Sequence, residues 1–107
     1  MKITILGCGA YGLALSEMFS LNNCEITMWT ILEEEKNELE KERTNKKVLP
    51  NFKANKNIKF TTDIQEAIKG SNLIVIAIPV KFVNNVVSQL APIIKKSQHI
   101  KVRKKIN

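Results

Sequence analysis

The stretch MKITILGCGAYGLAL, residues 1–15, decides the fold of this 107-residue chain. Its apolar residues 3–6 predict a short strand, which leads directly into the spacing Gly7-x-Gly9-x-x-Gly12. Apolar side chains then recur at helical spacing, at Leu13, Ala14, Met18 and Leu21. A strand, a glycine turn and a helix in this order predict the first strand-to-helix turn of a doubly wound, parallel α/β sheet, which is a Rossmann-type dinucleotide-binding domain.

The glycine turn predicts a phosphate-binding site. Gly7 lets the backbone leave the strand sharply, Gly9 has no Cβ to block a pyrophosphate, and Gly12 lets the helix pack close to the sheet. The phosphates would bind free N–H groups at the positive end of a helix that begins near Ala10. We interpret Cys8 as a small filler of the turn, because no histidine lies nearby in the sequence to activate it as a nucleophile. A purely structural glycine turn is the alternative.

Length and composition limit the class of protein. The chain fits one domain, and none of its apolar stretches approaches the roughly 18 residues of a membrane span or forms a signal peptide. We therefore expect a cytoplasmic protein. Cys8, Cys24 and His99 do not fall at metal-ligand spacing, so we expect neither a metal site nor a disulfide.

The charge is unevenly distributed along the chain. Residues 1–66 carry nine basic and ten acidic side chains, whereas residues 67–107 carry eight basic and no acidic ones, which gives a net charge of +7. A basic tail can hold phosphates without sequence preference. Because aromatic stacking partners and a recognition-helix pattern are lacking, we expect no specific nucleic-acid binding. A small basic polyanion-binding module is retained as an alternative from a different functional class.

The remaining pattern alternates strands and helices. We predict strands at 25–29, 58–61 and 73–78, a charged surface helix at 33–44, a loop at 45–57, and a short helix opened by the capping box Thr62-Asp63-x-x-Glu66 and closed by Gly70. An apolar stripe predicts an amphipathic helix at 81–96, and residues 99–102 begin like a fifth strand that Lys101 interrupts. The expected strand order is 3-2-1-4, with a frayed fifth strand.

Residues at the strand ends are further candidates. Thr30 stands where many dinucleotide-binding folds have an acidic residue for the adenosine ribose, so the sequence leaves NAD and NADP both open. We interpret Trp29 as a core residue and the glutamates at 33–35 as a solvated helix start, a turn too late for the ribose. Pro79, at the end of the most apolar strand, should face the glycine turn across the cofactor.

With these motifs in place, the chain resembles the N-terminal cofactor domain of NAD(P)-dependent glycerol-3-phosphate dehydrogenase over residues 1–100. The matching motifs are GCGAYGLA at 7–14, Met28-Trp29, Arg43-x-Asn45 with Leu49-Pro50, and Ile78-Pro79 leading to Phe82. The Arg-x-Asn and Leu-Pro pair is far more specific than the glycine turn. A ketopantoate reductase-like NADP-binding domain is the alternative within the enzyme class, but it would not be expected to carry that pair.

The resemblance implies an oxidoreductase that interconverts glycerol 3-phosphate and dihydroxyacetone phosphate with NAD or NADP, feeding phospholipid synthesis. It places pyrophosphate contacts on 7–12, with Ala10 and Tyr11 as a pair, an adenosine contact on Ile31 and an aromatic contact on Phe82. It also places a phosphate-binding lysine at Lys105, although Ile106 replaces the glycine that follows this lysine in the family.

The resemblance also bears on how complete the chain is. We expect residues 101–107 to be a divergent basic tail and the family's helical domain, which carries the catalytic lysine and most substrate contacts, to be missing. The resemblance also implies that full-length members of the family can form homodimers. The chain alone would then bind cofactor without catalysis.

Overall fold

A computed structural model describes residues 1–102. The chain forms one parallel sheet of five strands in the order β3-β2-β1-β4-β5. The predicted doubly wound order 3-2-1-4 is therefore confirmed. The expectation of a frayed fifth strand is wrong, because residues 99–102, Lys101 included, pair in register with residues 73–76 through their backbone. The strands are β1 (Lys2–Leu6), β2 (Glu25–Trp29), β3 (Lys59–Thr61), β4 (Leu73–Ile76) and β5 (His99–Val102); the helices are α1 (Ala10–Ser20), α2 (Glu33–Glu42), α3 (Ile64–Ile68) and α4 (Val83–Leu90).

Two apolar layers cover the two faces of the sheet. Ile3 and Ile5 of β1 pack on one face with residues of α1 and α2, whereas Leu6 packs on the other face with residues of α3 and α4. Successive strand residues point to opposite faces, and both faces are covered. Strand β4 is consequently apolar without alternation, as its sequence LIVI indicates.

Helix α4 is shorter than predicted. A 3₁₀ turn at Val80–Phe82 precedes it, and the helix ends at Leu90 rather than continuing to residue 96. Pro92 has no N–H to continue the helical hydrogen bonds, and the N–H groups of Ile93 and Ile94 both donate to the Leu90 carbonyl. Val86 and Leu90 face the sheet, but Phe82 and Val87 of the predicted apolar stripe are exposed.

Strand β4 also ends two residues earlier than predicted. The Ala77 N–H donates to the carbonyl of Leu6, at 2.9 Å, and β1 ends there because Gly7 turns the chain away. Ala77 and Ile78 therefore leave the sheet and approach the glycine turn.

The short helix α3 begins as predicted from its acidic cap. Asp63 is the N-cap, and its carboxylate accepts hydrogen bonds from the N–H groups of Gln65 and Glu66. The Asp63 N–H donates to the hydroxyl of Thr61 at 3.0 Å, so Thr61 takes the role that Glu66 would have in a full capping box.

No helix within residues 1–102 is long and apolar enough to cross a membrane.

The contrast between Leu90 and Val87 tests the packing of α4. We predict that Leu90→Ala lowers the free energy of unfolding by roughly 2–5 kcal/mol, because Leu90 is fully buried against the sheet. Val87→Ala, on the exposed side of the same helix, should change it by less than about 0.5 kcal/mol. Urea titration followed by circular dichroism measures both values, and equal losses in the two variants would contradict this packing.

Candidate functional site

A crevice of about 440 Å³ opens at the carboxyl edge of the sheet. One wall is the segment that follows β2, the other is the segment that follows β4, and the glycine turn after β1 forms its floor. Because β1 lies between β2 and β4, this is the point where the strand order reverses and where ligands of doubly wound sheets bind. Its lining residues are Gly7, Cys8, Trp29, Thr30, Ile31, Leu32, Glu35, Ile78, Pro79, Phe82, Asn85, Val86 and Gln89.

The crevice brings together several of the residues that the sequence analysis selected. They are Gly7, Cys8, Thr30, Ile31, Pro79 and Phe82. Gly9, Ala10, Tyr11 and Gly12 do not line it; they lie beside it, at the start of α1. Lys105 lies outside the described residues.

Backbone contacts of Gly7 and Gly12 fix the glycine turn. Gly7 has φ +126°, a conformation that L side chains rarely adopt, and its N–H donates to the Trp29 carbonyl at 2.8 Å. A Cβ on Gly7 would lie 2.5 Å from the carbonyl oxygen of Ala77, and a Cβ on Gly12 would overlap the carbonyl oxygen of Gly7. These two glycines are therefore required by packing whatever the turn binds.

Gly9 differs from Gly7 and Gly12 because the space at its Cβ position is free. A Cβ built on Gly9 would meet no heavy atom within 4 Å, and its φ of −74° is open to any residue. Gly9 is also the N-cap of α1, but it has no side chain to cap the helix. The N–H groups of Ala10, Tyr11 and Gly12 find no acceptor within residues 1–102. Free space and unused donors at a helix N-terminus fit a pyrophosphate.

Cys8 is buried at the floor of the crevice, 2% exposed, with its thiol 3.7 Å from the Trp29 carbonyl. Burial raises the pKa of the Cys8 thiol, and the nearby charge of Glu35 raises that pKa further. A raised pKa leaves little thiolate at neutral pH. This environment agrees with the interpretation of Cys8 as a filler.

Glu35 corrects the interpretation of the acidic start of α2. Its carboxylate turns back toward the end of β2, where Oε1 accepts a hydrogen bond of 2.6 Å from the Thr30 hydroxyl. The same Thr30 oxygen accepts from the N–H of Leu32 at 3.2 Å. Glu35 is therefore a crevice residue and not merely part of a solvated helix start. Glu35 lies five positions after Thr30, so a search limited to the strand end misses it.

Asn45 shows what the Arg43-x-Asn45 motif does structurally. The Asn45 side chain is buried, and its Nδ2 donates to the Cys8 carbonyl at 3.2 Å and to Glu35 Oε2 at 2.9 Å. Arg43 ends α2 in the left-handed conformation, and its guanidinium donates to the Ile58 carbonyl at 2.7 Å. The motif ties the loop after α2 to the glycine turn. From the sequence alone, the motif is only a signature of the family.

Exposed apolar side chains form the two rims of the crevice. Ile31 is 74% exposed on the β2 side and Phe82 is 50% exposed on the β4 side. Trp29 is buried in the core, as predicted, and its indole N–H donates to the Thr62 carbonyl at 2.9 Å. Two exposed apolar rims facing each other are suited to hold a planar ring such as adenine.

The two cysteines provide a test of the crevice floor. In the native protein at pH 8, we predict that a thiol reagent such as Ellman's reagent modifies half-buried Cys24 and not Cys8, since burial and a raised pKa both suppress the Cys8 thiolate. The variant Cys24→Ser should react only after denaturation. Rapid modification of native Cys24→Ser would show that Cys8 is accessible and ionised.

Comparison with known proteins agrees with this architecture. The family model described as NAD-dependent glycerol-3-phosphate dehydrogenase N-terminus matches residues 2–106. The glycerol-3-phosphate dehydrogenase [NAD(P)+] of Limosilactobacillus reuteri is 36% identical over 93 residues, which cover 87% of this chain and 28% of that protein. The enzyme of the same name from Bacillus subtilis is 35% identical over 106 residues, which cover 98% of this chain and 31% of that protein.

A solved structure supports the same assignment. The crystal structure of glycerol-3-phosphate dehydrogenase from Coxiella burnetii superposes with a TM-score of 0.89 at 25% identity, covering 94% of this chain and 31% of that one. The chain thus spans less than a third of the length of these relatives. These matches favour neither a ketopantoate reductase-like domain nor a basic polyanion-binding module. Because the family model matches residues 2–106, this chain belongs to the family of NAD-dependent glycerol-3-phosphate dehydrogenase N-terminal domains.

Proposed function

We propose that this chain binds NAD or NADP across the glycine turn and the crevice. The observation that carries the proposal is the open space over Gly9 beside the unused N–H groups of Ala10, Tyr11 and Gly12. A pyrophosphate placed there would meet several backbone donors and the positive end of the α1 dipole.

The crevice would hold the adenosine part of the cofactor. Adenine would lie between the exposed rims at Ile31 and Phe82, with Pro79 completing the wall on the β4 side. When bound, the nicotinamide supplies the hydride chemistry, while the protein supplies binding and orientation. The role of Lys105 in phosphate binding remains part of this proposal.

The reaction that this cofactor site serves would be the interconversion of glycerol 3-phosphate and dihydroxyacetone phosphate. The names of the relatives and the family model support this substrate class. Among residues 1–102, the ionisable side chains that line the crevice are Cys8 and Glu35. Cys8 is buried with a raised pKa, and Glu35 is held by Thr30 and Asn45, so neither side chain is placed to protonate a ketone. We therefore propose that the 107-residue chain binds the cofactor without reducing the ketone.

Four further properties belong to the proposal. Cys8 and Cys24 are free thiols, which supports a reducing, cytoplasmic location. Exposed Lys95, Lys96 and Lys101 would attract nucleic acid only through charge, without sequence preference. The homodimer is carried over from the full-length family. A role of this protein in phospholipid synthesis rests on the same resemblance.

Gly9→Val tests the pyrophosphate site directly. We predict that this variant loses saturable binding of NADH and NADPH, because its two methyl groups fill the space over Gly9 that the phosphates require. Titration calorimetry of the purified chain measures the binding.

The stability of Gly9→Val serves as its control. Gly9 has an ordinary φ and no neighbour within 4 Å of its Cβ position, so the variant should stay folded without nucleotide. Its melting temperature should fall by only several degrees, because valine is a poorer N-cap than glycine. Nucleotide affinity equal to that of the parent in a folded Gly9→Val variant would refute the site.

A second prediction concerns catalysis. The purified 107-residue chain should bind NADH without oxidising it when dihydroxyacetone phosphate is added, because hydride transfer needs a positioned ketone and an acid within reach of its oxygen. Absorbance at 340 nm follows the reaction. Steady oxidation that depends on this ketone and disappears in Gly9→Val would contradict the proposal.

A further inference from the structure

Many dinucleotide-binding folds have an acidic residue at the end of the second strand, and here Glu35 of α2 brings a carboxylate to that position. At the end of β2, Thr30 is buried, and its hydroxyl hydrogen is committed to Glu35 Oε1 at 2.6 Å. Thr30 is therefore not free to donate a hydrogen bond to a ligand. The polar group that this part of the crevice presents is the Glu35 carboxylate, which comes from the first turn of α2.

Two hydrogen bonds hold the Glu35 carboxylate in place. Oε1 accepts from Thr30, and Oε2 accepts from the buried Nδ2 of Asn45 at 2.9 Å. A carboxylate has about four lone-pair positions, so this arrangement orients the group and still leaves it able to accept hydrogen bonds from a ligand. Its charge also reaches the glycine turn, since it contributes to the raised pKa of Cys8.

The surroundings of Glu35 are predominantly acidic. Glu35 and Leu32 are shared by the cofactor crevice and a second crevice of about 290 Å³ between α2 and the loop that follows it. The second crevice is also lined by three glutamates and by the cation Lys47; the glutamates are Glu33, Glu34 and Glu38. Lys36 forms ion pairs with Glu33 and Glu40 on the same helix, at 3.7 and 3.2 Å. A phosphate placed beside Glu35 would therefore meet net negative charge.

We propose that Glu35 takes the part of the missing strand-end acid and makes this site select NAD over NADP. This inference rests on the proposed cofactor site. A ribose that carries a free 2′-hydroxyl can donate a hydrogen bond to the fixed carboxylate. The 2′-phosphate of NADP has no such hydrogen to offer, and its charge is repelled by Glu35 at close range.

The test measures the affinities for NADH and for NADPH in three proteins. These are the unmodified 107-residue chain, Glu35→Gln and Glu34→Gln. Glu35→Gln removes the charge but keeps the size and one acceptor oxygen. Glu34→Gln is the matched control, since it removes the same charge from the exposed neighbouring position, outside the cofactor crevice. We expect the unmodified chain to bind NADH at least about tenfold more tightly than NADPH, and Glu35→Gln to reduce that ratio by about tenfold. Glu34→Gln, whose charge lies farther from the ribose and is exposed to solvent, should reduce the ratio by less than about twofold.

The salt dependence of the unmodified chain gives a second measurement that needs no variant. Raising the ionic strength from about 0.05 to 0.5 M should narrow the preference for NADH, because salt screens the repulsion between Glu35 and the 2′-phosphate. A ratio of one, a preference for NADPH, or an equal effect of Glu34→Gln and Glu35→Gln would overturn this inference and leave the proposed function intact. Failure of the unmodified chain to bind either nucleotide would refute the proposed function, and this inference with it.

Discussion

The close approach of α1 to the sheet, where Gly12 lies against the carbonyl of Gly7, is the constraint on which the rest of the structure depends. A Cβ on Gly12 would overlap that carbonyl oxygen, and a Cβ on Gly7 would collide with Ala77. The N-terminus of α1 can reach the carboxyl edge of β1 only because both positions lack side chains. The space over Gly9 and the unused N–H groups of the first helical turn follow from this approach.

A second set of interactions fixes the wall of the crevice that follows β2. Arg43 ends α2 in a left-handed conformation, which brings Asn45 back to donate to the Cys8 carbonyl and to Glu35. Glu35 in turn accepts from Thr30 at the end of β2. One buried amide thus joins the glycine turn, the start of α2 and the loop after α2. Its loss would leave the carbonyl of Cys8 without this partner and the Glu35 carboxylate less restrained.

The sequence predicts those parts of the fold that depend on local pattern. The glycine spacing, the apolar strands and the acidic cap of α3 are local signals, and each appears where it was expected. The extents of β4 and α4 were overestimated because they depend on where β1 ends and on the missing N–H of Pro92. The position of Glu35 could not be predicted from spacing, since a helical side chain reaches the strand end only through partners at 30 and 45. The cofactor-binding roles of the predicted site residues stay predictions.

Backbone amide chemical shifts test the central claim most directly, because they report where a nucleotide binds without any substitution. When NADH is titrated into ¹⁵N-labelled protein, we predict the largest shifts at the amides of Gly9, Ala10, Tyr11 and Gly12, with smaller shifts at Ile31 and Phe82. A different crevice, of about 460 Å³, lies near the opposite edge of the sheet and is lined by residues that include Glu66, Lys69 and Lys95. Shifts confined to that crevice, with the glycine turn unaffected, would show that the nucleotide does not bind at the glycine turn.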